Sequence, residues 1–253
     1  MIDLHAHVLP GLDDGVRSLE EAVELAQEAV AGGITAMAAT PHVRDDYPTT
    51  PEQMETGVAE LRARLAEEGI PLELLHGAEV SIDRAGLLDR DTLRRLTIAQ
   101  RDRYLLLEFP YVGWPITLEG AVERLRERGL TAILAHPERN PQVQERPERL
   151  EAAVDAGALV QLTAASVLGQ LGRTTRRTSE RLLRLNLVHL LASDTHGPGG
   201  RGTLSAAAAE LGDATLAKRL GYDVPAAICA GEEVPAAPHR RGPRWGRRRQ
   251  ATL

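Results

Sequence analysis

Seven short apolar segments, several with β-branched residues, recur along this chain with helix-period stretches between them, a pattern that admits few folds. The segments are MIDLH (1–5), ITAMAAT (34–40), LELLHGAEV (72–80), RYLLLEF (103–109), TAILAH (131–136), ALVQLT (158–163) and LVHLLAS (187–193). Helical period runs over Leu19–Ala31 (opened by Ser18), Pro51–Glu68, Leu118–Arg128 and Pro147–Ala156. Gly32–Gly33, Gly69, Gly129 and Gly157 stand where a left-handed residue ends a helix at low cost. Repeated strand, helix, strand implies a parallel sheet, and about seven units point to a barrel rather than an open sheet. A length of 253 residues fits one such domain.

Aromatic residues make up only 3% of a chain that is 43% hydrophobic, so Leu, Ala, Val and Ile must fill the core. The single cysteine, Cys229, excludes an internal disulfide framework and a thiolate zinc site, and fits a reducing compartment. Any metal must therefore sit on His, Asp and Glu. No apolar run approaches the roughly 20 residues that span a bilayer, and MIDLHAH has neither a basic nor an apolar leader region, so a cytoplasmic protein is expected. The net charge of −6 conceals an asymmetry: PHRRGPRWGRRRQATL (238–253) carries six arginines and no acid. A catalytic domain over 1–235 and an arginine-rich, disordered tail over 236–253 are expected.

His5, His42, His136 and His196 fall at or just after strand ends, with His7 two residues beyond His5. Glu79 and Glu108 close the third and fourth strands, Asp194 follows the seventh, and Asp13 and Asp14 lie in the loop after the first. In a βα barrel the strand C-terminal ends share one face, so residues scattered over most of the chain converge there. His5 and His7, one residue apart in extended backbone, point the same way and can grip one ion. One histidine at a strand end is commonly structural, but a whole set obeying the same placement is not explained that way. Clustered carboxylates repel one another unless divalent cations reverse the interaction. About nine donors could hold two or three ions, and imidazole with carboxylate and no thiolate suits Mn, Fe or Zn, the oxygen count leaning to Mn or Fe. His76 and His189, inside apolar strands, and His239, in the tail, read as structural, and Glu20 and Glu21 as first-turn helix acids. Spacing alone does not choose between Asp13 and Asp14.

D-L-H-A-H (3–7), L-P-G-L-D-D-G (9–15), A-T-P-H (39–42), G-A-E (77–79), H-P-E-R (136–139) and S-D-T-H (193–196) resemble the polymerase and histidinol phosphatase (PHP) superfamily. More narrowly, the D-D-G loop, L-L-E-F-P (106–110) and H-P-E-R resemble the bacterial manganese-dependent tyrosine-protein phosphatases of the CpsB/YwqE type, from residue 1 to about 230. The resemblance implies a distorted (β/α)7 TIM-like barrel, the PHP fold, with a trinuclear centre. His5, His7, Glu79 and Asp194 would hold one ion; Glu79 would bridge to a second on Glu108 and His136; Asp14, His42 and His196 would hold a third. It thereby favours Asp14 over Asp13, and it places Arg139 and Arg201 on the phosphate. The asparagine-proline expected before the last short helix is absent, and the arginine tail is no part of the family pattern.

The expected reaction is hydrolysis of a phosphate monoester by water activated on the ions, with Arg139 and Arg201 spreading phosphoryl charge. A cysteine-phosphatase mechanism is excluded, because it needs an arginine six residues after its nucleophile and Pro235 stands six after Cys229. Phe109, Tyr111 and Trp114 concentrate aromatics just after Glu108 and could wall a phenyl ring or simply pack their loop. The expected substrate is a phosphotyrosine protein, specifically the tail of a bacterial tyrosine kinase controlling capsule or exopolysaccharide synthesis. Histidinol phosphatase is the alternative within the superfamily. A PHP exonuclease wants basic residues at the mouth, whereas the basic cluster here is the tail, so no nucleic acid is expected. An inactive metal-binding partner module fits poorly with a complete ligand set.

Overall fold

A computed structural model describes residues 1–200 and 203–235. Arg201, His239 and the 236–253 tail lie outside the described residues. Nine strand segments, β1 (Ile2–Ala6), β2 (Ala36–Ala39), β3 (His42–Val43), β4 (Glu73–His76), β5 (Glu79–Ser81), β6 (Tyr104–Glu108), β7 (Thr131–Ala135), β8 (Leu159–Thr163) and β9 (Leu190–Ala192), pair in parallel as β1-β2-β4 and β3-β5-β6-β7-β8-β9. The chain is thus a mixed α/β protein of parallel sheets.

The nine segments occupy the seven expected strand positions, because the second and third strands are each broken once. Pro41 interrupts the second, having no N–H to give the ladder, and its carbonyl accepts from Glu79 N at 3.1 Å. The third breaks at Gly77, where a Cβ would come within 2.9 Å of Ile98 Cδ1 and 3.0 Å of Thr40 Cγ2. Beyond β9, His7 N donates to Thr195 O and Asp194 N to His5 O, both at 2.9 Å, so the last strand position returns to the first.

Apart from the exposed Glu73 that opens β4, the strands are buried on both faces, as parallel sheets are. Along β6, Leu105 and Leu107 join an outer cluster with Val23, Leu61, Leu125 and Leu182, while Tyr104 and Leu106 join an inner one with Leu4, Ile133 and Leu190. Val224 and Ile228, on the helix Val224–Ala230, belong to the inner cluster together with Ile2, which begins β1. Ser18 caps Leu19–Ala31, and Thr50 with Gln53 forms a capping box on Pro51–Glu67. The expected helix Pro147–Ala156 is a 3-10 turn, Pro147–Leu150, followed by Glu151–Asp155. The helix Arg173–Arg184 was not read from RTTRRTSERLLR, where five arginines leave only Leu182 and Leu183 as apolar signal. No described helix is long and apolar enough to cross a membrane.

Candidate metal centre

All nine expected donors meet at the C-terminal side of the seven strand positions, His42 and Glu79 on the short segments β3 and β5 that follow the breaks. Glu79 begins β5 and is completely buried; its Oε2 lies 3.3 Å from His5 Nε2, 3.5 Å from His7 Nε2 and 2.9 Å from His42 Nδ1, and its Oε1 lies 2.8 Å from His136 Nε2. Asp194 Oδ1 faces His5 and His7 at 3.3 and 3.6 Å. Half-exposed Asp14 points Oδ1 at His42 Nε2 and His196 Nε2, 3.4 and 3.5 Å away. Four groups could each hold an ion: His7, Asp14, His42 and His196; His5, Glu79 and His136; His5, His7 and Asp194; His42, Glu79 and Glu108. This grouping adds His7 to the Asp14 set and puts Glu108 with His42, where the resemblance had put it with His136.

Local backbone aims several of these side chains. His136 and Asp194 take left-handed conformations (φ 38° and 55°) just after β7 and β9, which costs a non-glycine residue on the order of 1–3 kcal/mol and marks functional sites. The D-D-G loop folds against β1 so closely that a Cβ on Gly15 would lie 2.3 Å from His7 O. That loop separates the two aspartates. Asp13 Oδ2 accepts from His7 Nδ1 at 2.6 Å and His42 N at 3.0 Å, and Oδ1 accepts from Gly15 N at 2.9 Å. Asp13 therefore orients His7 from behind while Asp14 faces the cluster. Gln161, in mid-β8, does the same for His5 through a 2.9 Å contact of its Oε1 with His5 Nδ1. A carboxylate or amide behind each imidazole fixes the tautomer that leaves the other nitrogen free for a cation.

Burial opposes charge on His5, yet Glu79 and Asp194 outweigh it and hold the imidazole at about 9. Burial opposes charge on His7 too, yet the hydrogen bonds to Asp13, Asp194 and Glu79 together outweigh it and raise the imidazole well above its usual range. Asp13 falls to about 2 against its burial through the bond from His7, and Glu79 drops well below the carboxylate range against its own through His5, His136 and His42. His196 goes down through burial and then the charge of His7. The array thus attracts positive charge strongly, and a divalent cation can exchange for the protons it holds. Buried Glu79 Oε2 and His42 Nδ1 lie 2.9 Å apart without forming a hydrogen bond, as two atoms that share a cation would be left.

Arg139, on the turn after β7, donates from Nη1 to Asp194 Oδ2 at 2.8 Å and lies 4.5 Å over the Tyr111 ring. The aromatic loop divides. Tyr111 stacks on His136, ring centres 5.3 Å apart, whereas Phe109 is 1% exposed within the core and meets Trp114 edge-on at 5.8 Å. Trp114 is half-buried beneath Arg149 at 4.0 Å. The three aromatics therefore do not form one wall, because the step from β6 into its loop turns Phe109 inward. Arg44 also belongs to the site: its Nη1 donates to Glu108 Oε1 at 2.5 Å and its guanidinium covers Tyr47 at 5.1 Å, Tyr47 in turn stacking on His42. Nothing in P-H-V-R marked it. Gln161 carried a signal, a polar residue inside an apolar strand. His189 accepts from Val160 N and is structural, as expected.

Parallel strands carrying imidazoles and carboxylates at their C-terminal ends define a metal-dependent α/β enzyme. The chain belongs to the capsular polysaccharide synthesis CpsB/CapC family, which matches residues 1–230. It is similar to the tyrosine-protein phosphatase YwqE of Bacillus subtilis, 37% identical over 198 residues covering 78% of this chain and 77% of that one. It is also similar to the tyrosine-protein phosphatase CpsB of Streptococcus pneumoniae, 27% identical over 209 residues covering 79% and 85%. A chain from the crystal structures of YwqE from Bacillus subtilis and CpsB from Streptococcus pneumoniae, described as unique metal-dependent tyrosine phosphatases, superposes with a TM-score of 0.83 at 32% identity over 92% of this chain and 96% of that one.

Proposed function

We propose that this protein is a metal-dependent protein-tyrosine phosphatase acting on the phosphorylated tail of a bacterial tyrosine kinase in capsule or exopolysaccharide synthesis. The observation that carries the reading is Glu79, one buried carboxylate within 3.5 Å of four imidazoles in a chain of the CpsB/CapC family. His5, His7, Asp14, His42, Glu79, Glu108, His136, Asp194 and His196 are assigned as ligands of two or three ions, Mn2+ by preference. Bound divalent cations would acidify water to give a nucleophile at neutral pH and would stabilise phosphoryl charge.

This chain's own residues supply the rest. Asp194 holds Arg139 in place, and the guanidinium can bind two phosphoryl oxygens and spread their charge. Arg201, by resemblance alone, is assigned the same task. A leaving tyrosinate, whose conjugate acid has a pKa of about 10, needs little protonation, which spares a dedicated proton donor. The catalytic unit is assigned to 1–235 in the cytoplasm, where a kinase tail is accessible.

The test is a substrate panel on protein purified without chelator. A phosphotyrosine peptide should be turned over far faster than a phosphoserine peptide or histidinol phosphate, and faster turnover of histidinol phosphate would refute the reading. Arg139→Ala should lower kcat/KM for the phosphotyrosine peptide on the order of 10²-fold with metal content unchanged.

A further inference from the structure

Beside the metal cluster, on the side away from β6, lies an open cleft of about 530 Å³. Arg139, Asp194 and His196 form its inner edge, and Thr163, Ala165, Leu171, Thr195 and Pro198 are among its remaining lining. We propose that this cleft, rather than the aromatic loop, seats the aryl ring of the phosphorylated side chain. The proposal rests on the phosphatase reading and names the subsite that distinguishes aryl from alkyl phosphates.

A phosphoryl group held by Arg139 and the cluster must send its substituent out along one side of that arginine. On the β6 side Phe109 is sealed in the core, Trp114 sits under Arg149, and Tyr111 already gives its ring to His136 and to Arg139 itself. On the other side the cleft begins at Arg139 and continues over the apolar atoms of Ala165, Leu171 and Pro198, with Thr163, Ser193 and Thr195 as polar points among them. Its size falls within the roughly 300–1,000 Å³ of small-molecule sites, enough for a ring and part of the backbone that carries it. Apolar side chains set between fixed polar groups, as here, can receive the faces of a phenyl ring while the polar groups meet its edge and the backbone that carries it. A second open cavity of about 430 Å³, lined by Pro10, Leu12, Glu52, Gln53 and Glu60 among others, shares no residue with the cluster and presents carboxylates to an anionic substrate.

Leu171 is the residue to alter, since it is partly exposed in a turn between two helices and is not itself a ligand candidate. Leu171→Trp should fill the cleft and raise KM for a phosphotyrosine peptide and for 2-naphthyl phosphate by about 10-fold or more. Leu171→Ala, which keeps the fold in play if the larger side chain does not, should raise both several-fold by removing apolar contact. Inhibition by inorganic phosphate and manganese content should stay at wild-type values in both variants, because neither probe needs the ring subsite. Unchanged KM for both aryl substrates in either folded variant would overturn the assignment while leaving the phosphatase reading intact. Inertness of the wild type toward every aryl phosphate would overturn the phosphatase reading and this assignment with it.

Discussion

Asp13→Asn changes one atom and separates the two neighbouring aspartates by role. In the wild type two carboxylate oxygens receive three hydrogen bonds, Gly15 N on Oδ1 at 2.9 Å and His42 N and His7 Nδ1 on Oδ2 at 3.0 and 2.6 Å. An asparagine offers one carbonyl oxygen. If that oxygen faces His7 and His42, the amide meets the Gly15 N–H; if it faces Gly15, the amide meets two donors and drives His7 to the tautomer whose Nε2 is protonated. Either way a buried N–H loses its acceptor, at about 1–3 kcal/mol, and His7 loses the charge that fixes its ring. Outer carboxylates of this kind are worth about 10–100-fold in metal affinity, or roughly 1.4–2.7 kcal/mol. Manganese titration of chelator-stripped protein by calorimetry is the assay, with Asp14→Asn alongside as the loss of a direct donor. A folded Asp13→Asn protein binding manganese within twofold of wild type would refute the argument, and Asp13 would then be no more than a staple for its loop.

Arg44→Ala frees the outer oxygen of Glu108 and should lower kcat/KM about 10-fold, with partial recovery in Arg44→Lys; steady-state kinetics of the two variants check this, and equal rates in all three proteins would rule it out. His189 is depressed to about 4 by burial and then by the charge of Arg219, so the unfolded chain binds its proton first as pH falls below 6.5. Stability should therefore be full above pH 6.5 and decline toward pH 4 by on the order of 2 kcal/mol, allowing for partial exposure. Denaturant unfolding of wild type and His189→Gln across that range should show the difference between them shrinking as pH falls, and a constant difference would exclude this cause.

Much of the fold and most of the site were legible because they obey short-range rules. Short apolar runs between stretches of helical period located seven strand positions, and the placement of His5, His42, Glu79, Glu108, His136 and Asp194 at strand ends gave the site, since parallel topology turns a shared position along each strand into shared space. What remained hidden depends on where the chain bends after a strand ends. Pro41 and Gly77 were visible as residues, but that they split two strands follows from pairing with neighbours distant in sequence. Phe109 and Tyr111 have the same aromatic signature, and only tertiary packing sends one into the core and the other over His136. Asp13 and Asp14 are chemically identical and adjacent. The tight approach of Gly15 to His7 turns Asp13 behind the ring and leaves Asp14 facing the cluster, a distinction that exists only once the loop has closed on β1.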